Sequence, residues 1–254
     1  MPSDKPIVSV VVPCFNDGKY LKEAVDSVLR STYGAVEIII INDGSRDQTR
    51  DVASTLQGKH ENIRYYEQEN KGPAAARNLG VLNAKGTYIL PLDADDKISR
   101  HYIYMAVKKL EDDPEVKVVY SEAEFFGNKK GKWHLPSFSR NYLARENMIF
   151  SSAVYRKSDF VRCGGYSEEM KWGWEDWEFW ISMLKDGGDV YKIPEVCFYY
   201  RIKPKSRRKG TNKAAKKKTI DFINSRHIDF MYRELKGPLR YQRSLSKIIN
   251  TFVR

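Results

Sequence analysis

Two runs of mostly branched apolar residues, IVSVVV at 7–12 and VEIIII at 36–41, are separated by a single amphipathic stretch. A strand that is apolar at nearly every position has no face to give to water, so it must lie in a sheet covered on both sides. Between the runs, Tyr20, Leu21, Val25, Val28 and Leu29 recur at helical spacing. Strand, helix and strand within about 30 residues is a βαβ unit, and two parallel neighbours follow from it. The alternation continues. Helices are expected over about 47–56, 74–84 and 100–110, and strands at 63–66, 87–92 and 116–120. The fold class is therefore α/β, with a Rossmann-like first half, although no GxGxxG follows the first strand to mark a dinucleotide site.

Beyond residue 122 the order loosens. A strand-like NMIFSSAVY (147–155) precedes a helix from near Glu175 to near Gly187, where Trp177, Trp180, Ile181 and Leu184 keep helical spacing. A last strand, VCFYYRI, is followed by two helical patterns at about 214–235 and 239–252, separated by Gly237 and Pro238. The division expected is 1–206 as the main domain, with halves 1–121 and 122–206, and 207–254 as a basic helical tail.

In an open parallel sheet, ligands collect at the carboxyl ends of the strands. Three polar clusters sit at such ends: PCFN after the first strand, NDGS after the second and DADD after the fourth. Asn42 and Asp43 of NDGS could accept hydrogen bonds from a base or ribose, or form an ordinary turn and helix cap. Asp93, Asp95 and Asp96 repel one another unless a cation joins them, and a hard Mg2+ or Mn2+ takes oxygen ligands and bridges carboxylates to phosphates. The alternative is an acidic loop in which Asp96 caps the next helix. In WEDWEFW, Glu175 and Asp176 fall in a first helical turn, where acids also suit the helix dipole.

Charge separates the chain into two parts. From Arg201 onward there are 17 Lys and Arg against 3 Asp and Glu, whereas residues 1–200 hold 27 against 30. A net charge of +11 thus belongs to the tail. Residues 201–218 carry ten basic residues without an acid and without interleaved aromatic residues, which disfavours nucleic acid. They suit a solvated loop, a lid over a diphosphate, or attraction to an anionic membrane surface through 201–254. Three scattered cysteines form no disulfide or zinc pattern. The expected location is cytoplasmic, with peripheral association on the inner face of the cell membrane.

The ordered series VSVVVPCFN, IIIINDGSRDQT, GPAAARNLG, LPLDADD, CGGYSEE and WEDWEFW, spread over residues 7–206, resembles the motifs of family-2 inverting glycosyltransferases. The resemblance implies a GT-A fold and transfer of a sugar from a nucleoside diphosphate sugar, most often a UDP-sugar, to an acceptor hydroxyl in polysaccharide or glycoconjugate synthesis. Carried onto this chain, it implies donor contacts at Pro13, Phe15, Asn42, Asp43, Arg77, Asp93 and Asp95, where Arg77 could equally pair with a helix carboxylate. Asp95 and Asp96 are the expected ligands of Mn2+ or Mg2+, with the choice among the three aspartates open. It implies Asp176 as catalytic base with Glu175 beside it, and Trp172 and Trp174 against a glycan or lipid-linked acceptor. Where many members have a histidine, this chain has Lys203, which suits direct neutralisation of the diphosphate. A sugar-phosphate nucleotidylyltransferase would show a Gly-rich basic loop in place of PCFNDGK, and a non-catalytic basic adaptor would not need Asp95, Asp96 and Asp176 intact.

Overall fold

The computed structural model describes residues 5–204 and 212–253. The first half alternates as its apolar runs require: β1 (Val8–Cys14), α1 (Gly18–Leu29), β2 (Val36–Asp43), α2 (Thr49–Lys59), β3 (Ile63–Gln68), α3 (Pro73–Leu82) and β4 (Tyr88–Pro91). The short β5 (Lys97–Ile98), α4 (Tyr102–Asp112) and β6 (Val116–Gly127) follow. Strands β3, β2, β1 and β4 pair in that order, all parallel. Val10, Val11, Val12 and Ile38 to Ile41 have no solvent exposure, as uniformly apolar strands demand. Helix α3 lies close over β1, because Gly80 has no side chain: a Cβ there would sit 2.2 Å from a methyl of Val11.

The second half turns the sheet from parallel to mixed. It comprises β7 (Gly131–Trp133), α5 (Arg140–Leu143), β8 (Val154–Arg156), α6 (Lys157–Cys163), α7 (Glu175–Leu184) and β9 (Asp189–Ile202). Strand β8 is antiparallel to β4 and to β6, β9 is parallel to β6, and β5 closes the order antiparallel to β9. Of the expected strand NMIFSSAVY, only Val154 and Tyr155 are extended in the sheet, as the start of β8. Residues 144–153 form a buried loop, in which Met148, Ile149 and Phe150 fill the core while Trp180 Nε1 donates to the Ile149 carbonyl at 3.0 Å. A short apolar run reads alike in a strand and in a buried loop, so periodicity could not separate them.

The C-terminal segment is α8 (Lys213–Arg226), α9 (Ile228–Leu235), a 3-10 turn at Arg243–Leu245 and α10 (Ser246–Phe252). The helix expected over 214–235 breaks at His227, whose backbone leaves helical geometry while its ring turns inward to the Glu178 carboxylate at 2.7 Å. Ile220, Ile223, Phe230, Met231, Leu235 and Leu239 join the same apolar core as the sheet. The basic composition of the segment therefore coats helices that brace α7 from behind. Residues 205–211 of the basic run lie outside the described residues.

Candidate active site

The carboxyl ends of β1, β2 and β4 meet along one edge of the parallel sheet, as strand order requires. At the end of β2, Asn42 and Asp43 are buried. Asn42 donates to the Tyr65 hydroxyl at 2.9 Å and accepts from the Ser45 amide at 2.9 Å. Asp43 Oδ1 accepts from Gln68 Nε2 at 2.7 Å and the Lys71 amide at 2.8 Å, and Oδ2 accepts from the Gly72 amide at 2.9 Å. The turn that enters α3 is thus tied to the end of β2, and Oδ2 keeps a lone pair for one more donor. Pro13 is half-buried at the end of β1, and Phe15 beyond it is exposed.

The loop after β4 splits its three aspartates into different environments. Asp93 accepts from Arg77 Nη2 at 2.7 Å. Asp95 pairs with the Lys203 ammonium at 2.8 Å, and the same ammonium reaches both oxygens of Asp17 at 2.8 Å. Asp96 is buried; its Oδ1 accepts from the Arg201 amide at 2.8 Å, and its Oδ2 has no hydrogen-bond partner among the described residues. Burial pushes the Asp95 carboxyl up, against the opposing pull of Lys203. Burial, then Asp95 and Asp93, hold Asp96 well above the usual carboxylate range. An orphaned carboxylate oxygen beside a second carboxylate is a hard-oxygen donor set that suits a divalent cation. Among the described residues no three His, Cys, Asp or Glu side chains gather into a closed metal cage. Two carboxylates completed by substrate phosphates is the ordinary arrangement for Mg2+ and similar ions.

On the other side of the crevice stands the start of α7. Gly173 and Trp174 both take positive φ, at 112° and 60°, just before Glu175. For a bulky residue such as Trp174 that conformation is strained and must be held by its surroundings. Asp176 is partly exposed. Its Oδ2 accepts from Asn147 Nδ2 at 2.8 Å and its Oδ1 from the Trp177 amide at 2.9 Å. Burial first, and the neighbouring Glu175 second, push its carboxyl up to about 6, against the lowering pull of Arg77 and Asn147. A carboxylate so placed is ionised at neutral pH yet is a stronger base than an ordinary aspartate.

Arg77 joins the two sides. It is buried, donating through Nη2 to Asp93 and through Nη1 to Glu175 at 3.0 Å, with the Tyr166 ring 5.5 Å from its guanidinium carbon. Two of its nitrogens are thus committed to a bridge between Asp93 and the helix carboxylate of Glu175. The tryptophans divide similarly. Trp177 and Trp180 are core residues, as their helical spacing implies. Trp172 donates its indole N–H to Thr219 Oγ1 of α8 at 2.9 Å and meets Phe222 edge-on, so it pins the loop before α7 to the C-terminal helices. Trp174 packs partly buried against the core.

Three contributors were not legible in the sequence. Asn147 is a lone amide in an apolar stretch, Asp17 looks like a turn residue of FNDGK, and Glu178 is a helical acid among aromatic residues. Glu178 is fully buried on α7, where Ser182, Arg226 and His227 all reach its Oε1. Asn147 stabilises the ionised form of Asp176, so Asn147→Leu is expected to raise the acid limb of the pH–rate profile above about 6, by on the order of one pH unit. An unmoved limb would show that this hydrogen bond does not set the base.

Comparison with known proteins gives the following. The family described as "Glycosyl transferase family 2" matches residues 9–167. Glycosyltransferase GlyA of Streptococcus pneumoniae is 38% identical over 205 residues, which are 76% of this chain and 29% of that protein. GlyG of the same organism is 39% identical over 126 residues, 48% of this chain and 42% of GlyG. Chondroitin synthase of Pasteurella multocida is 28% identical over 198 residues, 76% of this chain and 20% of the synthase. The chain thus spans less than half the length of these relatives. Among solved structures, residues 1–349 of S. aureus TarS in complex with UDP-GlcNAc match with a TM-score of 0.75 over 96% of this chain and 71% of that one, at 16% identity. Mannosyltransferase PcManGT from Pyrobaculum calidifontis, in complex with GDP-Man and Mn2+, matches at 0.68 over 87% and 66%, at 20% identity. Among the described residues, no helix is long and apolar enough to cross a membrane.

Proposed function

The chain belongs to glycosyl transferase family 2 and has the GT-A fold, and on that premise we propose that it transfers a sugar from a nucleoside diphosphate sugar to an acceptor hydroxyl by one inverting displacement. The observation that carries this reading is the Arg77 bridge, because it sets the donor-side carboxylate Asp93 and the acid pair Glu175–Asp176 against each other across one crevice. Inversion needs an attacking oxygen and a departing diphosphate on opposite faces of the sugar, with a base on the attacking side. Asp176 is that base: it takes the acceptor's proton at Oδ1 or Oδ2, and Asn147 and the Trp177 amide hold both oxygens in place. Glu175 keeps Arg77 charged and aligned.

On the donor side, the base of the nucleotide would rest between the backbone at Pro13 and Phe15 and the carboxylate of Asp43, whose free lone pair suits an imide N–H such as uracil offers. Asp95 and Asp96 would hold Mn2+ or Mg2+, which supplies positive charge to the departing diphosphate. Lys203, already on Asp95, brings a second cation to the same place. The UDP complexes of a structural neighbour support a UDP-sugar, and the GDP-Man complex of another makes GDP the rival. Relatives named for chondroitin and hyaluronan synthesis support an acceptor that is a glycan.

Calorimetric titration with UDP and GDP, each with and without Mn2+, tests the donor site. UDP should bind, tighter with Mn2+, and Asp96→Asn should remove most of the Mn2+ dependence while sparing nucleotide binding in its absence. Binding of GDP in preference to UDP would overturn the base assignment, and no binding of either would overturn the donor site.

A further inference from the structure

Helix α10 is amphipathic the wrong way round. Two of its polar residues face inward: Ser246 and Asn250 are buried, Ser246 Oγ accepting from the Arg240 amide at 3.0 Å. Asn250 donates to the carbonyls of Leu235 at 3.1 Å and Pro238 at 2.9 Å, and accepts from Arg240 Nε at 2.8 Å. On the opposite side Leu245, Ile248 and Phe252, spaced i, i+3 and i+7, are 45%, 57% and 83% exposed. A surface helix of a globular protein ordinarily turns such a stripe to the core. Single exposed apolar residues are common, whereas a continuous stripe marks a surface that something covers.

We propose that this stripe, with Tyr241 beside it, docks on an anionic lipid bilayer. The charge around it chooses the occupant. Residues 212–253 hold ten Lys and Arg against three acids. The exposed Lys247 lies within the stripe in sequence, and the Lys216 ammonium of α8 lies 4.2 Å from the centre of the Tyr241 ring, which joins the basic start of α8 to the same patch. Apolar and aromatic side chains that enter the acyl boundary, ringed by long basic side chains that reach the headgroups, are the makings of an interfacial helix. A symmetric contact with a second copy would instead bring these cations against their own counterparts.

The patch also lies beside the base. Arg243 donates to Glu146 at 3.1 Å and its guanidinium sits 5.5 Å from the Trp177 ring, while Glu146 adjoins the Asn147 that holds Asp176. Docking through α10 therefore sets the acceptor side of the crevice near the lipid surface. The inference stands apart from the donor and base assignments.

Co-sedimentation of the full chain with vesicles tests it. Binding is expected to vesicles of phosphatidylcholine with phosphatidylglycerol and not to phosphatidylcholine alone, and added salt should weaken it. The exposed double change Ile248→Ser, Phe252→Ser should lower partitioning by about tenfold or more while leaving the thermal unfolding temperature unchanged. No vesicle binding, or binding indifferent to the double change, overturns the proposal. So does a dimer, seen by sedimentation velocity without vesicles, that the same change dissociates.

Discussion

Asp176→Asn is expected to lose transfer activity by on the order of 10^2 to 10^4-fold and to unfold at a higher temperature than the natural protein at neutral pH. The two effects share a cause. Burial and Glu175 raise the Asp176 carboxyl from 3.8 to about 6, so the fold binds its proton more tightly than the unfolded chain does. A group with a raised folded pKa loses stability as pH climbs through the interval between the two values, here about 4 to 6, and above that interval the cost is complete. Relief of that cost in the amide variant is worth on the order of 1 to 3 kcal/mol. Thermal unfolding at pH 4 and pH 7.5 checks it: the gap between the proteins should be small at the lower pH and open at the higher. Transfer should show an acid limb near pH 6, since only the ionised carboxylate accepts a proton. A variant that keeps its activity would remove Asp176 from the role of base, whatever its stability.

Arg77→Leu should be the most destabilising single change in the crevice. It removes a cation from Glu175, which is almost fully buried, and an ion-pair partner from Asp93. Removing one member of a buried ion pair costs about 3–5 kcal/mol. Chemical denaturation should show this as a lowered midpoint. The double change Arg77→Leu, Glu175→Leu should recover a large part, because it removes the buried Glu175 charge as well. Arg77 also lowers the Asp176 carboxyl, so whatever activity the single variant keeps should have its acid limb above about pH 6. Equal stability of Arg77→Leu and the natural protein would mean that the bridge is solvated and does not couple the two sides.

Much of the first half was legible because its signals are local. Uniform apolarity in IVSVVV and VEIIII forced a covered parallel sheet, and strand order then put PCFN, NDGS and DADD on one edge. The helix of WEDWEFW also follows from spacing within one segment. In the second half the same reading faltered. NMIFSSAVY has the composition of a strand, but its carbonyls are claimed by side chains from other elements, Ile149 by the Trp180 indole N–H of α7 and Ser152 by the Tyr102 hydroxyl of α4. The split of 214–235 at His227 has no Gly or Pro to announce it, because a buried carboxylate on another helix, not a breaker in the chain, turns the residue inward.

The aspartates of DADD show the division most clearly. Sequence by itself determined that three acids end a buried strand, that their mutual repulsion needs positive charge, and that an acid pair opens a later helix. Tertiary structure alone decided which cation answers which carboxylate: Arg77 goes to Asp93 and Glu175, Lys203 to Asp95 and Asp17, and the inner oxygen of Asp96 is left with no hydrogen-bond partner among the described residues. Arg77 and Glu175 are 98 residues apart, and Lys203 and Asp17 are 186 apart. Helical spacing and strand alternation act over a few residues, whereas ion pairs at such separations exist only once the sheet has closed and set the chain segments face to face.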